Sequence, residues 1–452
     1  MAVVIKLIKQ EKTVIKKVLK YFAIFLVVVA SLYGIGRLSV VMYDSYKYVD
    51  RQPYLQKMSQ DGVVVMWQTP KEERGCVHYG EKTLDKEVCE DEATQYHRVE
   101  LTRLQKETRY LYSVDAASLK VDNSGRSFET LNDDTNKAQR IWVQGDSGNF
   151  NSAQQENYKA MMKYVGDDKK IDTWLMLGDN AYRSGTQEQF NRGLFNAFSE
   201  MLKRHVLWPV IGNHDARRWA FYDIFEFPTK GESGGVASGS EKYFSFENGN
   251  VHFVLLDSQT VDRDADGEMA QWLKKDLSAN KKLWPIVIFH HPPYSKGSHD
   301  SDSYYDSRGR MVQMRENIVP ILEKYDVDLV LSGHSHVYER SLLSHGHYGY
   351  SDTFDAAKHV VQNDLHTYHK CNKKVSFAGT IYNVAGSSSN DSSGINPFNE
   401  PHPMMPVSYF SSGSLLITTD AKQLKVEMVM RDGKVLDSYT IEKSAKYCQT
   451  QE

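Results

Sequence analysis

The sequence predicts an all-β sandwich domain followed by an α/β layered domain, in which β-sheets are flanked by helices. The chain has 452 residues, which is more than one hydrophobic core of ordinary size organises. Residues 52–131 contain strand-length apolar runs separated by polar turns. From about residue 138 to residue 442, strand-length runs alternate with helical patterns, which is typical of an α/β layered domain.

The first 43 residues divide into a basic segment and an apolar segment. Residues 1–20 hold six lysines and one glutamate, a net charge of +5, which leaves −8 for the remainder because the whole chain carries −3. Residues 21–43 carry only one charge, that of Arg37. Such a pattern is typical of a membrane anchor or of a signal peptide, cleaved here after Ala30, and a buried core helix is the alternative. We favour an uncleaved anchor over residues 21–43. An anchor and a signal both export the rest of the chain, either membrane-anchored or secreted.

Four cysteines, an even number, occur in this chain, which we expect to be exported. Two disulfides have three connectivities, and the sequence leaves the choice open. Pairing of Cys76 with Cys89 and of Cys371 with Cys448 is the simplest prediction, and four free thiols are the alternative. The net charge of −3 argues against a nucleic-acid partner. The oligomeric state stays unknown.

In the predicted sandwich, residues 62–69, 98–101, 110–114 and 126–130 are expected to form strands. Tyr110, Tyr112 and Val114 alternate as in a half-buried strand. Residues 101–110 resemble the tyrosine corner of a β-sandwich. We expect this domain to serve as a packing or spacer module.

In the predicted α/β domain, four helices are expected, over residues 152–165, 187–202, 268–277 and 311–325. Residues 230–240 are rich in Gly and Ser and predict a surface loop. Residues 342–374 hold five histidines with weak periodicity and predict an insertion or long loop, with a lid over a site as the alternative. From residue 413 to 442 the pattern returns to β, with a turn at 431–433.

Five apolar runs of strand length each end at a short polar motif. In chain order these motifs are Gly145-Asp146-Ser147-Gly148, Gly178-Asp179-Asn180-Ala181-Tyr182, Gly212-Asn213-His214-Asp215, His290-His291-Pro292-Pro293 and Gly333-His334-Ser335-His336. Loops at strand ends are where rigid scaffolds usually carry chemistry. Any one motif alone is weak evidence, but five in order indicate one site at a common rim.

These motifs together supply a mixed set of oxygen and nitrogen ligands. Carboxylate and phenolate oxygens are hard donors, and imidazoles suit borderline ions such as Zn, Fe or Mn. A mixed set therefore fits two unlike metals. Two metals about 3.5–4 Å apart can activate a water and clamp the oxygens of a phosphoryl displacement.

The five motifs resemble those of the purple acid phosphatases, which belong to the calcineurin-like metallophosphoesterase superfamily. The resemblance covers about residues 52–442 and includes a leading sandwich of fibronectin-type-III-like kind, which begins with Pro53-Tyr54-Leu55-Gln56. It also includes the continuation His336-Val337-Tyr338-Glu339-Arg340. Tyr182 is the discriminating residue, because wider metallophosphoesterases usually lack it. The basic and apolar N-terminal segments lie outside the resemblance.

The resemblance implies a role for each matching residue of this sequence. Fe(III) would be held by Asp146, Asp179, Tyr182 and His336. A divalent ion (Zn, Fe or Mn) would be held by Asp179, Asn213, His290 and His334. Two catalytic histidines, His214 and His299, would bind the substrate phosphate and protonate the leaving group. His291 would be structural or support a ligand, and Asp215 has no role that the resemblance implies.

The implied reaction is hydrolysis of phosphate monoesters, an acid phosphatase activity on a small phosphate-ester substrate. A metal-bound hydroxide would be the nucleophile, and no phosphoenzyme would form. One alternative is a phosphodiesterase or nucleotide hydrolase with the same metals. The other is a non-catalytic exported module in which metals only stabilise the fold. The complete ligand set with two further histidines disfavours the second alternative.

Overall fold

The structure is a computed structural model that describes residues 1–166, 171–390 and 400–450. It separates into two units, residues 1–48 and residues 49–452, which are described in turn. All secondary-structure elements below are numbered in chain order.

Residues 2–46 form one continuous helix, α1 (Ala2–Tyr46). Residues 3–44 have the length and composition of a membrane span, with a mean hydropathy of 2.2 in the most apolar stretch. None of that stretch is buried. This helix is compatible with a signal and with an anchor.

Residues 51–129 form two antiparallel sheets. Their strands are β1 (Arg51–Gln56), β2 (Gly62–Glu73), β3 (Cys76–Gly80), β4 (Lys86–Cys89), β5 (Thr94–Thr102), β6 (Arg109–Asp115) and β7 (Ser127–Glu129). One sheet has the order β1-β2-β5 and the other the order β4-β3-β6-β7. The hydroxyl of Tyr110 accepts the backbone N–H of Gln105 at 2.9 Å, which confirms the predicted tyrosine corner.

Both predicted disulfides are present, between Cys76 and Cys89 and between Cys371 and Cys448. The first joins the paired strands β3 and β4, where the two cysteines lie opposite each other. The alternative of four free thiols is wrong.

The remaining strands build two large sheets and one small hairpin. They are β8 (Gln139–Gln144), β9 (Thr173–Met176), β10 (Leu207–Pro209), β11 (Tyr243–Asn248), β12 (Val251–Leu256), β13 (Trp284–Ile288), β14 (Leu329–Ser332), β15 (Tyr338–Arg340), β16 (Leu343–Ser344), β17 (Val360–Gln362), β18 (Thr367–Lys370), β19 (Ile381–Ala385), β20 (Val407–Tyr409), β21 (Gly413–Thr419), β22 (Gln423–Met430) and β23 (Val435–Lys443). The first large sheet has the order β10-β9-β8-β21-β22-β23-β18, and the second has the order β11-β12-β13-β14-β19-β15-β20.

The two large sheets face each other across a shared core. Trp208 of β10 stacks on Phe246 of β11 with ring centroids 4.0 Å apart, so that the sheets meet directly. In β13 the alternate residues Ile286 and Ile288 enter this core, whereas Val287 points to a second core beneath the helices on the outer face. This period-two alternation is what a strand buried on both faces requires. The predicted α/β layered architecture is confirmed.

The helices of this region are α2 (Ser152–Val165), α3 (Gln187–Phe190), α4 (Ser199–Leu202), α5 (Ala220–Ile224), α6 (Glu268–Ala279), α7 (Arg310–Gln313), α8 (Val319–Lys324) and α9 (Ala356–His359). The helix predicted over 152–165 coincides with α2. The helices predicted over 187–202 and 311–325 are each interrupted by a π-helical turn, at Asn191–Phe195 and Met314–Ile318. Periodicity predicts the apolar face of a helix but not such a local change of hydrogen bonding.

The histidine-rich segment 342–374 is part of the fold. Its strand β18 pairs in parallel with β23 and forms the edge of the first large sheet. The hydroxyl of Tyr294 donates to the backbone oxygen of His347, which ties the segment to the loop after β13. Part of the segment is therefore built into the first large sheet, as expected for an insertion.

Candidate metal centre

The carboxyl ends of five strands carry the five polar motifs. Strands β8, β9 and β10 run parallel in the first large sheet, and β13 and β14 run parallel in the second. Because parallel strands end at the same edge, the loops that follow them converge there. The predicted common rim is thus assembled from two sheets that face each other.

The motifs contain glycines because side chains of neighbouring motifs occupy the space that a Cβ would need. A Cβ at Gly212 would lie 2.2 Å from the carboxylate oxygen Oδ1 of Asp179, and a Cβ at Gly333 would lie 2.5 Å from Oδ2 of Asp146. Asp146, Asp179 and His334 all adopt positive φ, at 53°, 51° and 66°. Such backbone strain costs of order 1–3 kcal/mol per residue and is usually retained at functional sites.

Three electron-pair donors converge without a proton between them. His290 Nδ1 donates to the backbone oxygen of Leu177 at 2.8 Å, which leaves the lone pair of Nε2 facing the amide oxygen of Asn213 at 3.1 Å. The hydroxyl of Ser307 donates to Asp306, so it accepts the proton of His334 Nε2 at 2.6 Å. The lone pair of His334 Nδ1 therefore faces the same Asn213 oxygen, at 3.0 Å.

Burial reinforces this arrangement. It lowers the pKa of His334 well below its usual range, which keeps the imidazole neutral and its lone pair free. Two imidazole lone pairs and an amide oxygen repel one another when nothing separates them. A cation removes this repulsion, and imidazole nitrogens with an amide oxygen suit a divalent transition metal.

A second group of donors lies beside Asp146. The hydroxyl of Tyr182 is 3.1 Å from Asp146 Oδ1 and 3.3 Å from His336 Nε2, which is itself 3.4 Å from Asp146 Oδ1. Burial, together with the charges of Asp146 and Asp179, raises the pKa of Tyr182 well above its usual range. A strongly polarising cation is needed to make this phenol a phenolate ligand.

Asp179 lies between the two groups. Its Oδ1 is 3.6 Å from His290 Nε2 and accepts the backbone N–H of His214 at 2.7 Å. Burial, and then the charge of Asp146, raises the pKa of Asp179 to about 8. Carboxylate oxygens of Asp146 and Asp179 lie within 4.8 Å of each other, and two buried carboxylates this close need positive charge to remain ionised together. The residues therefore fit two cations with Asp179 shared between them.

Two further histidines flank the donor groups. His214 Nδ1 donates to the backbone oxygen of Arg183 at 2.8 Å, so its Nε2 points towards Asp179 Oδ2, 3.8 Å away. Burial lowers the pKa of His214 to about 4, so the imidazole is neutral at pH 7 when no anion is bound. His299 stacks on His334 with ring centroids 3.8 Å apart.

Sequence reasoning missed several residues that hold this site together. The Asp306 carboxylate accepts the Nδ1 proton of His299 at 2.9 Å and thereby sets its tautomer and orientation. Asp215 accepts backbone N–H groups of Gly212, Asn180 and Ala181 at 2.9–3.1 Å, which joins two of the loops that carry the donors. The one sequence feature that could have pointed to Asp215 is its position directly after the Asn213-His214 pair.

Two more side chains complete the surroundings. Arg217 places Nη2 3.4 Å from His214 Nε2, one turn further along the chain. His291 is buried, with Nδ1 2.9 Å from the hydroxyl of Ser258, and it contacts the rings of His290 and His334. His291 thus has a packing partner on each side, as expected for a residue that supports the ligands.

Comparison with known proteins finds a matching family model and sequence relatives. Residues 139–338 match the family model described as calcineurin-like phosphoesterase. The chain is 30% identical over 275 residues to purple acid phosphatase 23 of Arabidopsis thaliana, an alignment that covers 54% of this chain and 57% of that protein. The chain spans about half the length of the curated relatives it matches.

Solved structures share the fold. A purple acid phosphatase from seeds of yellow lupin (Lupinus luteus) superimposes with a TM-score of 0.68 at 18% identity, over 87% of this chain and 74% of that one. The structure of PhoD superimposes with a TM-score of 0.60 at 13% identity, over 88% of this chain and 90% of that one. At these identities the likeness is one of fold.

Proposed function

We propose that this chain hydrolyses phosphate monoesters at a binuclear metal centre, on the premise of its match to the calcineurin-like phosphoesterase model over residues 139–338 and its similarity to purple acid phosphatases. The observation that carries the proposal is the convergence of the lone pairs of His290 and His334 on the oxygen of Asn213, at 3.1 and 3.0 Å. A module that needed no cation would avoid such a contact.

In this proposal each donor group holds one ion. Fe(III) is held by Asp146, Tyr182 and His336. A divalent ion (Zn, Fe or Mn) is held by Asn213, His290 and His334, and Asp179 is shared between the two ions. When bound, the two metals supply an activated water and neutralise the charge of the phosphoryl oxygens. The first set is rich in oxygen donors and the second set is rich in nitrogen donors, which is why we assign two unlike metals.

His214 and His299 act on the substrate from beside the metal centre. Each ring is fixed by a hydrogen bond from Nδ1, to the Arg183 oxygen and to Asp306, so each presents Nε2. We assign both rings to binding the ester phosphate and to holding the proton that the leaving alkoxide takes. The negative charge of a bound phosphate stabilises the protonated form of His214, whose pKa burial otherwise depresses.

Hydrolysis of a chromogenic aryl phosphomonoester and of a bis-aryl phosphodiester by the purified chain tests the proposed substrate class. We expect a higher kcat/KM for the monoester, because two histidines and two metals can contact all the oxygens of a dianionic phosphate. The variant His334→Ala is the control and is expected to lose activity together with one metal ion by elemental analysis. Preference for the diester indicates instead a phosphodiesterase or nucleotide hydrolase, and a metal-loaded protein inert on both indicates the non-catalytic module.

We further propose that α1 anchors the protein in a membrane, or exports it as a cleaved signal, with residues 1–20 on the cytoplasmic side. The basic segment precedes the apolar one, as the positive-inside rule requires, and both disulfides fit an oxidising compartment. The boundaries 52–131 for a fibronectin-type-III-like domain and 138–442 for the catalytic domain belong to the same proposal.

A reporter that is active only in the cytoplasm, fused to the C-terminus, checks the direction of export. We expect no reporter signal, because the chain after α1 would lie across the membrane. Replacing the six lysines of residues 1–20 by glutamine should restore part of the signal by weakening the topogenic charge. A strong signal from the unmodified fusion contradicts export.

A further inference from the structure

A second polar pocket, of about 420 Å³, opens far along the sheets from the metal centre. It lies at the amino ends of the parallel strands, since Leu283 and Pro285 stand at the start of β13 and Asp326 shortly before β14. The proposed metal ligands follow the carboxyl ends of these same strands. The two sites are therefore on opposite edges of the sheets.

Five of the twelve residues that line this pocket are lysines, and we call it the lysine pocket: Lys281, Lys282, Lys373, Lys374 and Lys443. Residues 21–452 carry a net charge of −8, so a local concentration of positive charge runs against the composition of the chain. An ordinary solvent-exposed face of an acidic protein would carry charges of both signs. Here Asp326 is the single acidic residue among the described residues of the lining.

The base of the lysine pocket is a buried and internally neutral ionic network. Lys443 Nζ lies 2.6 Å from Asp328 Oδ2, and Lys370 Nζ lies 2.8 Å from Asp326 Oδ1 and 2.7 Å from Asp328 Oδ1. Two lysines thus neutralise two aspartates. The carboxylate of Asp326 is already paired with Lys370, although its charge and that of Asp276 also act on Lys374 at the mouth of the pocket.

The mouth carries three exposed lysines, Lys281, Lys373 and Lys374. Within the described residues, Lys281, Lys373 and Lys374 make no ion pair, and Lys374 Nζ donates only to the backbone oxygen of Leu277, at 2.7 Å. Lys282 lies 3.6 Å from Glu247, which compensates its charge. Burial lowers the pKa of Lys374 and of Lys443, so an anion in the pocket would stabilise their charged forms.

The segment that bears Lys373 and Lys374 is held in place covalently. The disulfide between Cys371 and Cys448 closes immediately before these lysines. Lys370, one residue earlier, is fully buried in the network at the base. The backbone that bears two of the three mouth lysines is therefore fixed before any ligand arrives, which reduces the conformational entropy that binding costs.

We propose that the lysine pocket binds a small polyanion with two or more phosphate or phosphonate groups, at a site separate from the metal centre. Three exposed lysines that line one pocket can donate to several acceptor oxygens, more than a single carboxylate offers. A concave pocket of this volume admits a compact molecule and excludes a flat polymer surface. The proposal is independent of the activity proposed for the metal centre.

Isothermal titration calorimetry with methylenediphosphonate tests the lysine pocket, using the full chain in a non-ionic detergent. The probe has a P–C–P link, so phosphoester hydrolysis does not consume it. We expect the probe to bind at two sites, the lysine pocket and the metal centre. We expect K281Q/K373Q to lose the probe bound at the lysine pocket, or to bind the probe there at least about tenfold more weakly. K71Q/K82Q changes the net charge equally at exposed lysines of the sandwich and should bind as the unmodified chain does.

Two further variants separate the explanations. His334→Ala should lose the probe bound at the metal centre and keep the probe bound at the lysine pocket, in contrast to K281Q/K373Q. K281R/K373R keeps both charges and should keep binding. Equal binding by K281Q/K373Q and K71Q/K82Q, or no binding at all by His334→Ala, overturns the proposal. Loss of binding in K281R/K373R also overturns it, because charge would then not be the cause.

Discussion

Replacing His214 or His299 by alanine is expected to lower kcat by about 10- to 10⁴-fold while both metal ions stay bound. Neither imidazole belongs to the two groups of converging donors, and each is oriented by a hydrogen bond outside those groups. The variants lose the proton for the leaving alkoxide and a contact to the phosphate. Aryl esters with acidic leaving groups need less protonation, so their kcat should fall less than that of alkyl esters.

Steady-state kinetics on such a series of esters, with elemental analysis of each variant, checks this prediction. His366→Ala is the control, because His366 is an exposed histidine in the inserted segment. It should leave both kcat and metal content unchanged. A fall in metal content that accompanies the fall in activity of His214→Ala or His299→Ala would show that these residues are ligands, and our assignment of roles would be wrong.

Replacing Tyr182 by phenylalanine is expected to bleach a protein that is violet or pink when purified with iron. A phenolate bound to Fe(III) transfers charge to the metal and absorbs visible light, and Tyr182 is the one phenol in the proposed ligand set. Its hydroxyl lies 3.1 Å from Asp146 and 3.3 Å from His336, so a single ion can contact all three side chains. Part of the activity should survive, because the phenol is not the nucleophile and Asp146, Asp179 and His336 remain.

Visible absorption spectra of the iron-loaded chain and of the variant test whether Tyr182 is a ligand of Fe(III). Tyr305→Phe is the matched control, because Tyr305 is 95% exposed, and it should keep the colour. A colourless unmodified protein with full activity and two divalent ions contradicts the assignment of Tyr182. The protein would then belong with the wider metallophosphoesterases, and the other six ligands would stand as proposed.

Local sequence patterns were sufficient for the parts of the fold that depend on local physics. The helix 152–165 was predicted with its observed bounds, since a regular apolar periodicity and flanking polar residues specify one helix. The tyrosine corner and both disulfides also follow from short-range spacing or from simple pairing. Strands β1, β3 and β4 were missed because none contains a continuous apolar run of strand length, and β1 and β4 begin with polar residues.

The sequence by itself predicted the candidate site through the resemblance of its motifs: seven proposed donor residues, each near a strand end, with glycines beside them. Only the tertiary structure decided that β8, β9 and β10 belong to one sheet and β13 and β14 to another, because strand pairing depends on contacts between distant residues. It also decided which residues orient the donors. Asp306 and Ser307 stand within an unremarkable loop, and their importance arises from hydrogen bonds to His299 and His334 that no local pattern encodes. The lysine pocket is likewise invisible in the sequence, because its charges come from segments that are about 90 residues apart and meet only when the sheets form.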